Sequence, residues 1–238
     1  MTVRSPESVI EPEDYARWRN SRLGALTESI EQRVISALCG NLSDLWVLDL
    51  GCGDGTYGIR AFEAGALVVG LDISIAMLRA AHIRAVARAA RVRWIQGLIG
   101  VLPFATNAFD LVIAVGALCF SHDPSGAIRE AARVLRPGGS LVVGELGKCS
   151  CWAASRRIRA WLGSKTWSAA RFWSVRELRS TVTEAGLQFE GARCCVYYPP
   201  VTSIAEALSP LEGHLSCLGQ FGAAFIAVKA TKGLVTRG

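Results

Sequence analysis

The hydrophobic positions follow two patterns, one with helical spacing and one made of short continuous runs. Across residues 13–38 the apolar side chains recur near helical spacing, which predicts one long helix ending at Gly40, a residue suited to a C-cap. Residues 1–12 predict a loose tail that contains proline. The run LWVLDL, ending at Leu50, is short, apolar and followed at once by glycines, so it predicts a buried strand.

The same two patterns continue along the chain. Further strands are predicted at residues 67–71, 92–96, 109–115 and 140–144, and helices at residues 57–64, 75–90 and 124–135. The connections have the length of crossovers, so the strands should pair in parallel. Five such alternations predict a doubly wound α/β sheet of the Rossmann-like kind.

The last third of the chain has a different pattern. A helix at residues 175–185 is followed by strands at 187–197 and 221–229, with a loop or short-helix insert after Pro199 and Pro200. The two strands should form an antiparallel pair at one edge of the sheet. The whole is then a mostly parallel, seven-stranded sheet with an N-terminal helix.

Length and composition indicate a single globular domain. The chain has 238 residues, of which 51% are hydrophobic and 19% charged. Its longest apolar stretch, residues 109–120, contains Asp110 and is much shorter than the roughly 20 residues needed to cross a bilayer. The N-terminal residues lack an apolar signal sequence. These features predict a cytoplasmic protein.

Eight cysteines are scattered through the apparent core elements, which predicts mostly buried free thiols in a reducing compartment. Cys149 and Cys151 are separated by one residue, and Cys194 and Cys195 are adjacent. Neither pair has the two-residue spacer of ordinary zinc knuckles, so no metal site is predicted.

The net charge of +6 is concentrated in one segment. Residues 148–179 contain eight Lys or Arg and one acid, Glu177. Within it, residues 151–167 (CWAASRRIRAWLGSKTW) interleave arginines with tryptophans, a pattern typical of a cationic amphipathic cap. It would suit an anionic or apolar acceptor, or a membrane surface that holds one. The alternative is a solvated helix whose tryptophans pack on the core.

The candidate chemistry begins at residues 47–55, VLDLGCGDG, where a buried strand runs into Gly51, Gly53 and Gly55. Glycines in such a turn let a ligand approach the backbone closely. A dinucleotide site of the G-x-G-x-x-G type would require glycine at the position of Thr56. The loop therefore disfavours a nicotinamide cofactor.

Two acids narrow the choice of ligand. Asp72 ends the second predicted strand, where it could accept both ribose hydroxyls of an adenosine group. Asp49 precedes Gly51 by two residues, where it could order the loop and meet a cationic amino group. A pyrophosphate cofactor carries no such group, so the two acids favour an adenosyl amino acid.

With these motifs the chain resembles the class I S-adenosylmethionine-dependent methyltransferases, in the small-molecule branch that includes ubiquinone and menaquinone biosynthesis enzymes. Four motifs in family-like order carry the resemblance: VLDLGCGDG from residue 47, GLDIS from 70, LPFATNAFDLVIA from 102 and REAARVLRPGGSLVV from 129. It implies S-adenosylmethionine as cofactor. Within one domain, residues 1–40 would be a tail and cap helix, 41–147 the cofactor-binding core, and 148–238 the acceptor-side cap and edge strands.

The resemblance also implies roles for individual residues. Asp49 and the loop would cradle the methionine moiety, Asp72 would bind the ribose, and Tyr15 would help the N-terminal helix close over the cofactor. Leu98 stands where the family often has an acid for the adenine amino group, so backbone groups there would serve instead. The implied contacts comprise Asp49, Gly51, Cys52, Gly53, Gly55, Asp72, Ile73, Met77, Leu98, Ile99, Val115 and Tyr15.

Methyl transfer to a good nucleophile depends mainly on positioning, so a base is optional. The best candidate is His122, just after the fourth strand and next to Asp123. The alternative is a loop histidine beside an Asp123 that only caps a helix. His214 and Tyr57 are weaker candidates.

The predicted function is methyl transfer to a small, apolar or amphipathic acceptor, with peripheral membrane contact as a further expectation. Alternatives are a thiol or metalloid S-methyltransferase, suggested by the cysteine pairs, and a non-catalytic S-adenosylmethionine-binding module. The fourth strand ends in VGALC rather than in the Asn/Asp-Pro-Pro-aromatic motif of enzymes that methylate nucleic-acid amino groups, which argues against a nucleic-acid substrate. The oligomeric state is not predicted.

Overall fold

A computed structural model describes residues 10–234 of the chain; residues 1–9 of the predicted tail lie outside the described part. The helices are α1 Pro12–Arg19, α2 Arg22–Cys39, α3 Thr56–Glu63, α4 Ile75–Ala87, α5 Pro124–Val134, α6 Cys151–Trp161, α7 Lys165–Ala169, α8 Val175–Glu184, α9 Thr202–Leu208 and α10 Glu212–Leu215. The strands are β1 Trp46–Leu50, β2 Leu67–Asp72, β3 Arg93–Gln96, β4 Phe109–Val115, β5 Leu135–Leu146, β6 Leu187–Cys195 and β7 Phe225–Lys232.

The seven strands form one sheet in the order β3-β2-β1-β4-β5-β7-β6. β7 pairs antiparallel with β5 and with β6, and the other neighbouring pairs are parallel. This confirms the predicted doubly wound sheet and its antiparallel edge. The direction of strand progression reverses between β1 and β4, so a crevice opens at the carboxyl ends of these strands, where open α/β sheets bind ligands.

The sheet lies between two layers of helices because its central strands are apolar on both faces. One core layer joins Leu48 of β1 to residues of α5 and α8, such as Ile128 and Leu178. The other joins Val47 to residues of α2, α3, α6 and α9, among them Ile35. Within residues 10–234, no helix has both the length and the apolar character needed to span a membrane.

The single N-terminal helix of the sequence prediction is wrong. The Ser21 hydroxyl accepts a hydrogen bond from the Gly24 amide at 3.0 Å and donates one to the Trp18 carbonyl at 2.6 Å. Ser21 therefore ends α1 and caps α2. The chain passes so close that a Cβ on Gly24 would lie 2.0 Å from the Trp18 oxygen. Helical spacing of apolar residues continued across this break and concealed it.

Other differences concern element ends. β5 begins at Leu135, five residues before its predicted start, because residues predicted as a turn pair with β4 through a register shift. The final strand begins at Phe225 instead of residue 221. The insert between β6 and β7 consists of α9, α10 and short 3-10 turns, as predicted.

Candidate active site

The glycine loop between β1 and α3 has the left-handed backbone that glycine favours, with φ of +70° at Gly51, +52° at Gly53 and +80° at Gly55. A Cβ on Gly51 would lie 2.5 Å from the Cβ of Ala117, which follows β4, whereas a Cβ on Gly53 would meet nothing within 4 Å. The loop is thus pressed against the end of β4 and presents bare backbone to open space. A ligand could lie against that backbone.

Asp72, at the end of β2, holds the loop in place. Its Oδ2 accepts a hydrogen bond from the Gly53 amide and its Oδ1 one from the Ser74 amide, both at 2.8 Å. The Ile73 amide also interacts with this carboxylate. A carboxylate has about four lone-pair positions, so Asp72 keeps acceptor capacity for a ribose hydroxyl.

Asp49 is almost completely buried at the end of β1, with 2% of its surface exposed. Its Oδ2 accepts a hydrogen bond from the Gly58 amide of α3 at 2.7 Å. A Cβ on Gly58 would lie 2.9 Å from that oxygen, so the approach requires glycine. Burial, reinforced by the charge of Asp72, raises the pKa of Asp49 to about 7. A cationic group placed beside it would stabilise its ionised form.

The residues predicted to contact adenine lie near the ends of β2 and β3 and differ in how far they are buried. Met77 is buried and Ile73 is half-buried, while Leu98 is exposed. Ile99 approaches the loop, with its Cγ2 at 4.0 Å from the Cβ position of Gly51. These positions agree with an apolar pocket beside Asp72.

Packing against Trp94 of β3 explains why residue 55 is a glycine, which the sequence alone did not suggest. A Cβ on Gly55 would lie 2.6 Å from the Trp94 ring, and one on Gly70 would lie 2.4 Å from it. The indole thus fills the space beneath the loop. Gly55 therefore has a packing role in addition to the predicted contact with a ligand.

A buried charge cluster ties α1 to the glycine loop. Asp54 accepts hydrogen bonds from Arg19 of α1 and from Thr56, and its Oδ1 lies 2.7 Å from Arg84 of α4. On α1, burial raises the pKa of Tyr15, and the charges of two glutamates on α2 add to that shift. The first N-terminal helix is therefore tied to the glycine loop, and the closing of this helix over a cofactor stays a prediction. Sequence reasoning missed Asp54, although it stands inside the motif.

The end of β4 forms the opposite wall of the crevice. Val115 is half-buried and Gly116 has φ of +64°, with open space around its Cβ position. The following amides of Leu118 and Cys119 donate to the carboxylate of Glu145 at 2.7 and 3.1 Å. Glu145 is fully buried, and this burial raises its pKa to about 7. Sequence reasoning missed this residue too, because it lies inside a continuous strand.

The structure gives His122 no fixed position as a base. Its side chain is exposed and forms no hydrogen bond within residues 10–234. The neighbouring Asp123 accepts from the Gly126 amide at 2.8 Å and caps α5, which favours the helix-cap alternative. His214 is exposed on α10, whereas Tyr57 is half-buried, beside the glycine loop.

The cysteines are all free, but the expectation that most are buried is wrong. Three are buried (Cys52, Cys119 and Cys195), two are half-buried (Cys39 and Cys194) and three are exposed (Cys149, Cys151 and Cys217). The exposed ones lie on surface helices and turns that the sequence pattern did not separate from the core. Among the described residues, no group of three or more His, Cys, Asp or Glu side chains could hold a metal ion.

Comparisons with known proteins agree with this geometry. Residues 48–143 match the sequence model of a methyltransferase domain family. The chain is 32% identical over 129 residues to an uncharacterized protein of Mycobacterium tuberculosis, covering 54% of this chain and 44% of the relative. It is 36% identical over 114 residues to a demethylmenaquinone methyltransferase of Renibacterium salmoninarum, covering 48% and 46%. The chain thus spans less than half the length of these curated relatives.

Solved structures share the fold at low sequence identity. An S-adenosylmethionine-dependent methyltransferase of Thermotoga maritima has a TM-score of 0.70 at 23% identity, covering 92% of this chain and 95% of its own. The magnesium protoporphyrin IX methyltransferase of Synechocystis, solved with bound S-adenosylhomocysteine, has a TM-score of 0.67 at 18% identity and covers 92% of each chain.

The family match covers the part of the chain that contains both acids, the glycine loop and the end of β4. S-adenosylmethionine is the cofactor of the proteins that this region resembles. These likenesses identify residues 48–143 as a methyltransferase domain, and the chain resembles the class I S-adenosylmethionine-dependent methyltransferases, including those of menaquinone biosynthesis.

Proposed function

We propose that this chain transfers a methyl group from S-adenosylmethionine to a small, apolar or amphipathic acceptor. The observation that carries the proposal is the meeting of three strand ends in one crevice. Gly51 after β1 abuts Ala117 after β4, and Asp72 of β2 binds the Gly53 amide between them. This arrangement leaves an open, glycine-lined space beside two carboxylates.

The residues present fit the cofactor. Gly53 and Gly116 leave open the space that a side chain would fill, so an extended ligand can pass between the strand ends. Asp72 keeps acceptor capacity for a ribose hydroxyl, and the Oδ1 of Asp49 has no hydrogen-bond partner within the described part of the chain. A bound S-adenosylmethionine supplies an activated methyl group on a sulfonium.

The chain's own contribution is then positioning and exclusion of water. The loop is held from three sides, by Asp72, by the Leu71 carbonyl and by the charge cluster at Asp54. α1 covers it through the ion pair between Arg19 and Asp54. Holding two reactants in line can contribute about 7–11 kcal/mol to lowering a barrier, so a dedicated base is not required.

An apolar or amphipathic acceptor is supported by the side chains near the end of β4. Val115 is half-buried there and packs against the apolar cluster that contains Trp152, and half-buried Tyr57 packs against the same cluster from the start of α3. The relative from R. salmoninarum is named for demethylmenaquinone, and an acceptor of that apolar kind is compatible with such a surface.

The test is release of S-adenosylhomocysteine by the full chain across a series of quinols, phenols, aromatic acids, amines and thiols. We expect release with at least one acceptor, and its loss in Asp72→Asn. Asp44→Asn is the matched control, since Asp44 is exposed before β1 and has φ of +63°, which asparagine adopts readily. Cofactor binding with no release for any acceptor would favour the non-catalytic module instead.

The membrane contact remains a proposal, and the outer face of α6 supports it. Ile158, Trp161 and Leu162 are spaced to share one helix face, and their exposed fractions are 57%, 86% and 71%. Arg157, Arg159 and Lys165 around them are exposed as well. Exposed tryptophan and aliphatic side chains ringed by cations are complementary to the interface of an anionic lipid bilayer.

Liposome flotation tests this contact. The full chain should float with phosphatidylserine vesicles and much less with phosphatidylcholine vesicles, and Ile158→Ala with Trp161→Ala should abolish the difference. Ile83→Ala is the matched control, because Ile83 is an equally exposed aliphatic residue on α4. Equal flotation of wild type and double variant would contradict the proposal, as would sedimentation showing that the patch joins two copies of the chain.

A further inference from the structure

Arg156, on the inward side of α6, is held between two indole rings. Its guanidinium carbon lies 5.0 Å from the ring centroid of Trp152 and 4.7 Å from that of Trp167. Stacking of this kind fixes the plane of the guanidinium while its five N–H groups stay available. The side chain is therefore rigidly placed and still able to donate hydrogen bonds.

Arg156 has no polar partner among residues 10–234. No carboxylate oxygen lies within 4.0 Å of it, and no hydrogen bond involves it. Arg156 is half-buried, and its nitrogens are not among the fully enclosed, unpaired side-chain atoms of the described residues. A fixed guanidinium with accessible, unused donors is a binding site for an oxyanion.

Arg156 lies on α6, which follows the carboxyl end of β5, and β5 is the neighbour of β4 in the sheet. The charges that act on it most strongly come from Glu31 of α2 and from Cys119, four residues after the end of β4. Glu31 in turn interacts with Tyr57, just beyond the glycine loop. Glu31 is half-buried and forms no hydrogen bond or ion pair within the described chain. Arg156 and Glu31 are thus close enough to influence each other's ionisation, and neither has a hydrogen-bond or ion-pair partner within the described chain.

We propose that Arg156 binds an oxyanion group of the acceptor, a carboxylate or a phosphate attached to an apolar body. The inference rests on the proposed function only in that it identifies the bound molecule as the methyl acceptor. The planar fork of the guanidinium matches either oxyanion with two parallel hydrogen bonds. The indole ring of Trp167, which is half-buried beside the guanidinium, suits a flat apolar body.

Glu31 gives this site a dependence on pH. Burial raises the pKa of Glu31 to about 8, with Arg156 opposing that shift and Glu28 adding to it. Burial lowers the pKa of Arg156 to about 10. The other titratable groups that interact with Glu31 are Tyr15, Tyr57, Cys195 and Tyr198, and burial raises the pKa of each. At neutral pH Arg156 is therefore the charged member of the pair, and above pH 8 an ionised Glu31 would compete with a bound anion.

The experiment is isothermal titration of the full chain with 1-naphthoate, 1-naphthyl phosphate and the neutral 1-naphthamide, each in the presence of S-adenosylhomocysteine. We expect the anions to bind about tenfold or more tightly than the amide, because hydrogen bonds to a charged partner are strong. Comparison of the two anions distinguishes carboxylate from phosphate. Preference for the amide, or equal binding of all three, would overturn the inference.

Variants separate the site from general effects. Arg156→Gln should abolish the preference for anions and Arg156→Lys should retain part of it, whereas Arg176→Gln, which removes an exposed guanidinium from α8, should leave it unchanged. Anion affinity of the wild type should fall as the pH rises from 7 to 9, and Glu31→Gln should flatten that profile. An unchanged preference in Arg156→Gln, or an unchanged profile in Glu31→Gln, would contradict the assignment.

The affinity for S-adenosylhomocysteine alone is measured for every variant. Normal cofactor affinity without anion preference would refute this inference and leave the proposed function intact. Anion preference in a chain that binds no S-adenosylhomocysteine would refute the function and leave the anion site standing.

Discussion

The two walls of the crevice differ in how their polar groups are satisfied. On the cofactor wall, Asp72 and Asp54 are already bonded to loop amides or arginines, and Asp49 is bonded through one oxygen. On the acceptor wall, Arg156 and Glu31 have no polar partner within hydrogen-bonding distance in the described chain. The cofactor wall is thus formed before any ligand arrives, whereas the acceptor wall needs a ligand to complete it.

This difference predicts opposite effects of substitution. Asp54 and the loop glycines also hold the fold together, so replacing them should cost folding stability as well as affinity. Arg156 and Glu31 have no hydrogen bond or ion pair to lose within the described chain, so replacing them should change binding with little cost in stability.

Asp54→Ala should lower the free energy of unfolding by about 3–5 kcal/mol, because it leaves Arg19 and Arg84 without their buried partner. Arg19→Gln should cost much less, since Asp54 keeps Arg84. Urea unfolding measures both. Equal and small losses in the free energy of unfolding for the two substitutions would show that the cluster does not support the loop. In Asp54→Ala, hydrogen exchange should show the loss of protection in α1.

Gly51→Ala should lower the free energy of unfolding by about 2–4 kcal/mol, through an unfavourable φ and a clash with Ala117. Gly53→Ala has the same type of φ and no clash, so it should cost only about 1–2 kcal/mol. Adding Ala117→Gly should restore part of the loss for position 51 and none for position 53. Absence of that selective rescue in thermal unfolding would contradict the contact between the loop and β4.

Asp49→Asn should stabilise the free chain at pH 8 by roughly 1–3 kcal/mol. The pKa of Asp49 is about 7 in the folded chain and near 4 when unfolded, so the folded state binds more protons between these values. The contribution of Asp49 to the free energy of unfolding therefore falls as the pH rises from about 4 to 7, and it is constant above pH 7. Thermal unfolding at pH 4 should show no gain, with Asp44→Asn as the control. A variant less stable than wild type at pH 8 would contradict this account.

Much of the cofactor wall was predictable from the sequence because it is local. The glycines and acids lie within or just after short apolar runs, and the order of those runs determines which strand ends meet. The doubly wound sheet and its antiparallel edge are confirmed by the strand order. The roles assigned to Asp49, Asp72 and the glycines stay predictions that the geometry supports.

The acceptor wall was not predictable because it is made by contacts between distant segments. Glu31 lies in a helix whose pattern shows only an apolar face, and nothing in the sequence places it near Arg156. Glu145 is a single acid inside a buried strand, and its role depends on amides that follow β4. The break at Ser21 was missed because the helical spacing of apolar residues continues across it.

The central claim is that the carboxylates of Asp49 and Asp72 and the glycine loop hold S-adenosylmethionine. Isothermal titration of S-adenosylhomocysteine into the wild-type chain and into the double variant Asp49→Asn, Asp72→Asn tests it most directly. The account predicts binding of one molecule per chain to the wild type and a loss of about 100-fold or more in the folded double variant. No binding to the wild type, or equal binding to both proteins, would contradict it.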